Sequence, residues 1–486
     1  MPRSNQLSYF TPNKCNPKLS RFDTTRVKVQ LRPFHGGDPA AARPSTPQVG
    51  LAQVKLTQVN APEFEPTFYD VAIIGAGLVG AAAALALGDS GLRVALIDPT
   101  GDTIVTVPDL IDQGCDRSCD QGWDARVYAI SPASRALLES LGVWAHLPAA
   151  RIARCTRMEV FAALPDAAHP SAHHATERAS VQIDGRIEFS AYDIGADALA
   201  YLLESRSLAQ ALARRLAETP NIAILRGACC AAFDRRPDRI ELALADGRFL
   251  TAKLAVGADG ANSWLREAAG IRCDQFDYQA TAVVANFTVA RDHHGTAFQW
   301  FATPGDGILA YLPLPGQRIS IVWSCASAHA AQLMALDPGD FVQQVAAAGG
   351  HCLGALELMT APRSFPLERR IARSPTADRV ALVGDAAHVV HPLAGQGVNL
   401  GFGDIHELAK VLRARELFRD CGDERVLARY RRARAEAILA MSSLTHGLER
   451  LFAVPGAAPA WLRRAGMTVT NRLPLVRGLL AQHAIG

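Results

Sequence analysis

The segment Phe68–Asp98, FYDVAIIGAGLVGAAAALALGDSGLRVALID, constrains this chain more than any other. Val71 to Ile74 is a short apolar run ended by a glycine, which reads as a buried parallel strand. Gly75, Gly77 and Gly80 then fit G-x-G-x-x-G: one glycine for the tight turn, one for the close approach of a pyrophosphate, one for helix–strand packing. The alanine-rich stretch Ala81 to Leu87 is a strong helix former, and its amino-terminal N–H groups would face that pyrophosphate. A second apolar strand, Val94 to Ile97, ends in Asp98. That puts a carboxylate about twenty residues beyond the glycines, where it can accept hydrogen bonds from an adenosine ribose. Glycines alone also mark ordinary turns; strand, glycines, helix, strand and acid in this order point to a bound dinucleotide. An acid at 98 in place of an arginine favours a ribose without a 2′-phosphate, hence FAD or NAD over NADP.

At 486 residues the chain is too long for one ordinary core and suggests two domains. Its net charge of +3, without a basic patch interleaved with aromatics, gives no case for a nucleic-acid partner. Ten cysteines are scattered, and Cys115, Cys119, Cys229 and Cys230 match no zinc spacing. Free thiols in a reducing compartment, with no metal, are the expectation. No apolar run reaches the roughly eighteen residues of a membrane span, so a cytoplasmic chain, soluble or peripheral on a membrane, is expected.

Residues 1–66 stand apart. They are rich in Pro, Asn, Thr and basic residues, and before Asp38 the only acid is Asp23. The charge resembles that of a mitochondrial transit peptide, but Pro2, Pro12, Pro17 and Pro33 work against an amphipathic helix. A disordered extension, or a start site assigned too far upstream, is the reading.

Beyond the first unit, a helix is expected from the Ser131 cap and Pro132, with Leu137, Leu138 and Leu141 on one face. Arg126, just before it, is either a solvated charge or a diphosphate contact at the mouth of the crevice. His169, His173 and His174 read as surface loop, and one long helix is expected from about Ala196 to Glu218. In AVGADGANSWLREAAGI, Ala255 to Ile271, a buried strand runs into Asp259-Gly260, with Ser263 and Arg266 on a helical turn. From Asp277 to Ala361 the pattern changes to alternating strands, a mixed or antiparallel sheet with one covered face. The chain returns at RVALVGD, a strand ending on Gly384-Asp385.

These segments, and above all GDAAHVVHPLAGQGVNLGFGD (Gly384 to Asp404), resemble the class A flavoprotein aromatic monooxygenases of the p-hydroxybenzoate hydroxylase type, and within them the ubiquinone-biosynthesis hydroxylases, the UbiH/UbiF/UbiI group. The resemblance covers roughly Phe68 to Gly486. The fold it implies is α/β: a Rossmann-like FAD-binding domain, an inserted β-sheet substrate domain and a helical carboxyl terminus. The FAD-binding domain would comprise 67–153, 191–275 and 366–432, the substrate domain 154–190 and 276–365, and the terminal helices 433–486.

The resemblance further implies that Gly75, Gly77, Gly80 and Asp98 bind the ADP half of FAD and that Arg126 lies against the cofactor. Asp259 and Gly260 would serve FAD and the pyridine nucleotide, and Gly384 and Asp385 the ribityl chain. Pro392, Gly395 and Gly397 would form the loop at the flavin ring, and Gln396 and Asn399 would also bind the cofactor. Gly395 and Gly397 leave a loop free of side chains, and the helix from Val398 onward would aim N–H groups at the pyrimidine edge. No acid–base constellation or G-x-S-x-G elbow is present. Asp385, His388 and His391 read as cofactor-adjacent or structural, not as metal ligands. The family's G-Y-x-x-E-N-x-x-L is AYLLESRSL here, with Ala200 for the glycine and Ser205 for the asparagine, while Glu204 is kept.

The implied activity is hydroxylation of the ring of a polyprenylated phenol, with NAD(P)H and O2 as co-substrates, through a flavin C4a-hydroperoxide. A small soluble aromatic substrate and a non-catalytic FAD-binding accessory protein are the alternatives. The Arg- and Leu-rich carboxyl-terminal pieces either lie on the inner face of the cytoplasmic membrane or pack on the FAD domain or a subunit interface. A Ubi-type biosynthetic complex and a homo-oligomer are the expected assemblies.

Overall fold

The computed structural model describes residues 67–100, 122–162, 185–301, 307–390 and 397–453. Pro392, Gly395, Gln396, His391, His169, His173, His174, Cys115, Cys119 and residues 1–66 lie outside the described residues. The described helices are α1 (Leu78–Gly88), α2 (Pro132–Ser140), α3 (Ser205–Ala217), α4 (Trp264–Ala268), α5 (Ser327–Ala335), α6 (Pro338–Ala348), α7 (Gly397–Arg413) and α8 (Glu424–Ala453).

The amino-terminal unit is a βαβ unit. Thr67–Ile74 (β1) pairs in parallel with Val94–Asp98 (β2), from Val71 opposite Val94 to Ile74 opposite Ile97. On its other side it pairs in parallel with Phe249–Gly257. Strand order across this sheet is 376–377, 380–382, 249–257, β1, β2, 222–226, and the antiparallel ribbon 230–235 and 240–244 hangs from the 249–257 strand. Val71, Ala72 and Ile73 have no accessible surface, because both faces of the sheet are covered. Helix α1 is apolar all round and is buried from Gly80 to Gly88, the only place such a helix is stable in water.

The second sheet runs in the order 388–389, 363–372, 273–289, 318–326, 308–314, 296–301, 157–161, 186–190, with 356–358 beside the outer part of 273–289. It is mixed: 296–301 and 157–161 are parallel, the other pairs antiparallel. Period-two alternation gives it two faces. Val283, Ala285, Phe287, Tyr311 and Trp300 pack into a core closed by α5 and α6. On the opposite face Leu312 and Leu314 meet Trp123 and, from a small three-stranded sheet of 127–130, 200–204 and 153–155, Cys155 and Leu202. The Arg363–Ala372 strand runs continuously across the 365/366 boundary expected between domains, and α8 across that at 432/433.

One expected element is corrected. The helix expected over Ala196–Glu218 is a strand, Ala200–Glu204, followed by α3. Tyr201, Leu202, Leu203 and Glu204 are four successive buried residues, as in the central strand of a sheet covered on both faces. Tertiary pairing with 127–130 and 153–155 overrides a local pattern that is also compatible with helix. The Ser131 cap is present: its hydroxyl accepts from the Ser134 N–H at 3.2 Å.

Candidate active site

The three glycines of the first turn have different work. A Cβ on Gly75, whose φ is +99°, would lie 2.5 Å from the Ala258 carbonyl oxygen, and one on Gly80 would lie 1.9 Å from that of Gly75. Both are dictated by backbone packed on backbone. A Cβ on Gly77 would meet nothing within 4 Å, so its bare Cα fronts open space at the start of α1. That helix start has no side-chain cap and no acid in its first turn, leaving N–H groups for an anion. Asp98 closes the turn from the end of β2. Its Oδ2 accepts from the Ala76 N–H at 2.6 Å, and its Oδ1 from the Thr100 N–H at 2.7 Å and the Thr100 hydroxyl.

The second glycine-rich segment stands directly against the first. Val380–Leu382 leads into the turn Gly384–Ala386, and Val79 of α1 lies 3.1 Å from where a Gly384 Cβ would be. The same Val79 lies 2.7 Å from a Cβ built on Gly401 of α7. Two stretches three hundred residues apart in sequence are thus in contact around one side chain. A Cβ on Gly397, at the start of α7, would again meet nothing within 4 Å among the described residues. Gly75 and Gly80 are closed by protein while Gly77 and Gly397 are open, the arrangement that a bound dinucleotide requires.

Asp385, on the turn, is solvent-accessible yet set in a recess. Burial raises its pKa, opposed by the charges of His388 and Arg126. The exposed Arg126 guanidinium lies over the Tyr128 ring, at 5.3 Å, and over the Phe365 ring, at 5.5 Å, and so joins the small sheet to the Arg363–Ala372 strand of the mixed sheet. Its backbone is held by Asp124, whose Oδ1 accepts from the Arg126 N–H at 3.0 Å and Oδ2 from the Arg206 N–H at 3.2 Å. Glu204 in turn accepts from the Asp124 N–H at 2.6 Å and pairs with Arg151 at 3.1 Å. Burial raises its pKa against those contacts. Glu204 is therefore a brace for the Asp124–Arg126 segment, a role the motif alone did not reveal.

Asp259 is packed behind the glycine turn. Its Oδ2 accepts from the Leu265 N–H at 3.1 Å, while its buried Oδ1 has no hydrogen-bond partner among the described residues. Burial raises its pKa, against hydrogen bonding from Ser263 and the Leu265 N–H. Gly260 beside it, at φ +80°, faces open space. Arg266, 3% exposed, donates to the carbonyls of Ala386, at 3.0 Å, and Ala261, at 2.8 Å, tying this motif to the Gly384–Ala386 turn.

Asn399 stands near the start of α7. Its Oδ1 accepts from the Ser131 N–H at 2.9 Å and its Nδ2 donates to the Ala129 carbonyl at 2.7 Å, so its amide cross-braces α7 to the start of α2. His388 is buried, with Nε2 2.6 Å from Asp404. Among the described residues no three His, Cys, Asp or Glu side chains converge as a metal site. Asp404 and Arg434 were not singled out from sequence. The available signal was an acid on the apolar stripe of a helix, which requires a partner.

A family model described as FAD binding domain matches residues 124–444, and one described as glucose inhibited division protein A matches the glycine-rich unit at 70–111. The chain is 32% identical over 418 residues to ubiquinone hydroxylase UbiL of Rhodospirillum rubrum, covering 86% of this chain and 89% of that protein. It is 32% identical over 426 residues to 3-demethoxyubiquinol 3-hydroxylase of Escherichia coli, covering 87% and 99%. Among solved structures, PqsL of Pseudomonas aeruginosa in complex with 2-aminobenzoylacetate superposes with a TM-score of 0.63 at 23% identity, covering 82% of this chain and 99% of that one, a likeness of fold.

Proposed function

This chain belongs to the FAD-dependent aromatic monooxygenases of ubiquinone biosynthesis, and we propose that its site hydroxylates the ring of a polyprenylated phenol with NAD(P)H and O2 as co-substrates. The observation that carries this reading is the contact between the two glycine-rich segments, with Gly384 and Gly401 both packed on Val79 beside the open Gly77.

The residues fit the cofactor. Gly75, Gly77, Gly80 and Asp98 would hold its adenosine diphosphate half, with Arg126, Asp259 and Gly260 alongside. Gly384 and Asp385 would hold the ribityl chain, and Gly397 with the loop of Pro392, Gly395 and Gln396 the ring. Asn399 holds the helix that carries Gly397. The chemistry that FAD supplies when bound is two-electron reduction by NAD(P)H and activation of O2, one atom of which enters the ring. The chain's own residues bind, orient and exclude water.

Substrate class follows from the sheet. Ala282, Val284, Ala310, Leu312, Val322 and Phe365 share the face turned toward the small sheet with the buried polar residues Asn286, Gln299, Ser320 and Ser324. No lysine or arginine on that face is buried, and Arg318 and Arg363 each stand at the first position of a strand. Its aliphatic members suit an apolar tail, while Arg126 over Phe365 and Arg318 over Trp123 hold cations at its edge, near the polar ring. Contact with a lipid surface is part of the proposal. Leu417 is 106% and Phe418 81% exposed on the loop after α7, and large adjacent apolar side chains in water mark an interaction site. No described helix is long and apolar enough to cross a membrane. On α8, Val426, Leu427 and Tyr430 pack inward while Arg431 and Arg432 are exposed.

Deleting the gene and profiling quinones by mass spectrometry tests the function. Loss of ubiquinone with accumulation of a prenylated phenol lacking one oxygen is expected. An unchanged pool, also in a strain lacking parallel hydroxylases, would overturn it.

A further inference from the structure

A carboxylate on the apolar stripe of a helix is unfavourable unless it is paired and hydrogen-bonded. Asp404 of α7 has no accessible surface and lies one turn from both Leu400 and Leu408, which are also buried. Its Oδ2 accepts from the Gly384 backbone N–H at 2.8 Å and from His388 Nε2 at 2.6 Å. Its Oδ1 accepts from Arg434 Nε at 2.7 Å. Burial raises the Asp404 pKa, but His388, Arg434 and the Gly384 N–H outweigh it and leave the carboxyl below its usual range.

Arg434 comes from α8. Its second nitrogen donates to the Leu400 carbonyl at 3.0 Å, and glycine at 403 makes room, since a Cβ there would lie 3.1 Å from the guanidinium. One turn earlier on the same helix the buried Tyr430 hydroxyl donates to the Leu382 carbonyl at 2.8 Å. Helix α8 therefore holds the strand end before Gly384 through Tyr430, and the first N–H of the turn through Arg434 and Asp404.

We propose that Arg434 is a positioning residue for the flavin site. It fixes Asp404, Asp404 fixes the Gly384 N–H, and the turn at φ +58° then presents Asp385 to the cofactor recess. The inference rests on the flavin reading above and adds to it that α8, outside both glycine-rich segments, is part of the cofactor site. A single cation at 434 serves two acceptors on α7, so its effect reaches the turn through Asp404, which is one residue's contact away from Gly384.

The test compares the full chain with Arg434→Met, Arg434→Lys, Tyr430→Phe and Arg432→Met, the last an exposed arginine of the same helix. Thermal melts and far-UV circular dichroism report folding. Titration by flavin fluorescence gives the FAD dissociation constant, and the bound-flavin visible spectrum reports the ring environment. Arg434→Met is expected to weaken FAD binding about tenfold or more and to shift the spectrum, about 1.4 kcal/mol per factor of ten. Arg434→Lys is expected to recover part of both, because the ammonium keeps the charge but not both contacts. Tyr430→Phe should weaken binding severalfold while retaining the fold, and Arg432→Met should match wild type. An Arg434→Met chain that folds and binds FAD with wild-type affinity and spectrum would overturn the proposal. If that variant does not fold, wild-type binding by both Tyr430→Phe and Arg434→Lys would overturn it. A wild-type chain that binds no FAD would overturn the flavin reading and this inference together.

Discussion

Gly77 and Gly80 are three residues apart in one motif, and the structure gives them opposite sensitivities. Alanine at 80 would drive its Cβ into the Gly75 carbonyl, a backbone atom that cannot yield, so Gly80→Ala should lower stability by several kcal/mol, as overpacking does. Alanine at 77 meets nothing and its backbone, at φ −63°, is one any residue adopts. Gly77→Ala should fold within about 1 kcal/mol of wild type, the scale of a weakened helix cap, yet bind FAD at least about tenfold more weakly. Urea unfolding of the apo chain and FAD titration check both; equal stability losses at the two positions would contradict the assignment. Asp404 supplies a pH prediction. Its folded pKa is depressed, so its contribution to stability is complete above the ordinary carboxylate value of about 4 and is lost as pH falls through the folded value. Asp404→Asn leaves Arg434 buried without its counter-charge and should lose about 3–5 kcal/mol at neutral pH. The gap in Tm between wild type and Asp404→Asn should narrow on acidification below about pH 4. A gap independent of pH would show that the carboxylate is not ionised in the folded protein.

At the scale of elements, α7 is the piece on which the site turns. Its start is fixed by Asn399, which bridges the backbones of Ala129 and Ser131, and its middle by Gly401 against Val79. Asn399→Ala removes two partly buried hydrogen bonds, so a loss of about 1–3 kcal/mol in denaturant unfolding is expected. FAD should restore part of it, because a ligand bound only by the folded state stabilises that state. No loss of stability would mean that Asn399 is free to contact the cofactor as first read from the motif. The βαβ unit was legible in sequence because strand, glycine turn and all-apolar helix are local patterns that tertiary structure reinforces. Ala200–Glu204 was not, because four consecutive buried residues fit helix and strand equally until their pairing partners, more than forty residues away, are known. For the same reason Asp385 and Arg126 could be nominated from motifs, whereas the partners of Asp404 and Glu204 lie 16 to 80 positions distant and carry no local mark.

For the whole molecule, the small sheet and the mixed sheet meet where Arg126 reaches Phe365, and the substrate proposed there is a lipid-borne ring. Exposed Leu417 and Phe418 provide an independent check on that setting. Wild type should float with phosphatidylcholine–phosphatidylglycerol vesicles and Leu417→Ser/Phe418→Ser should float several-fold less, with FAD content unchanged. Equal flotation of the two, or none by wild type, would remove the lipid contact at this loop. The central claim is ring hydroxylation by a flavin site, and one measurement addresses it directly. Purified, FAD-loaded protein is supplied with NAD(P)H, a polyprenylated phenol in detergent micelles and isotopically heavy dioxygen (18O2), and the product is weighed by mass spectrometry. One heavy oxygen atom on the ring per NAD(P)H consumed is the predicted result. NAD(P)H oxidation without label in any ring product, or no oxidation at all by a chain that holds FAD, would contradict it.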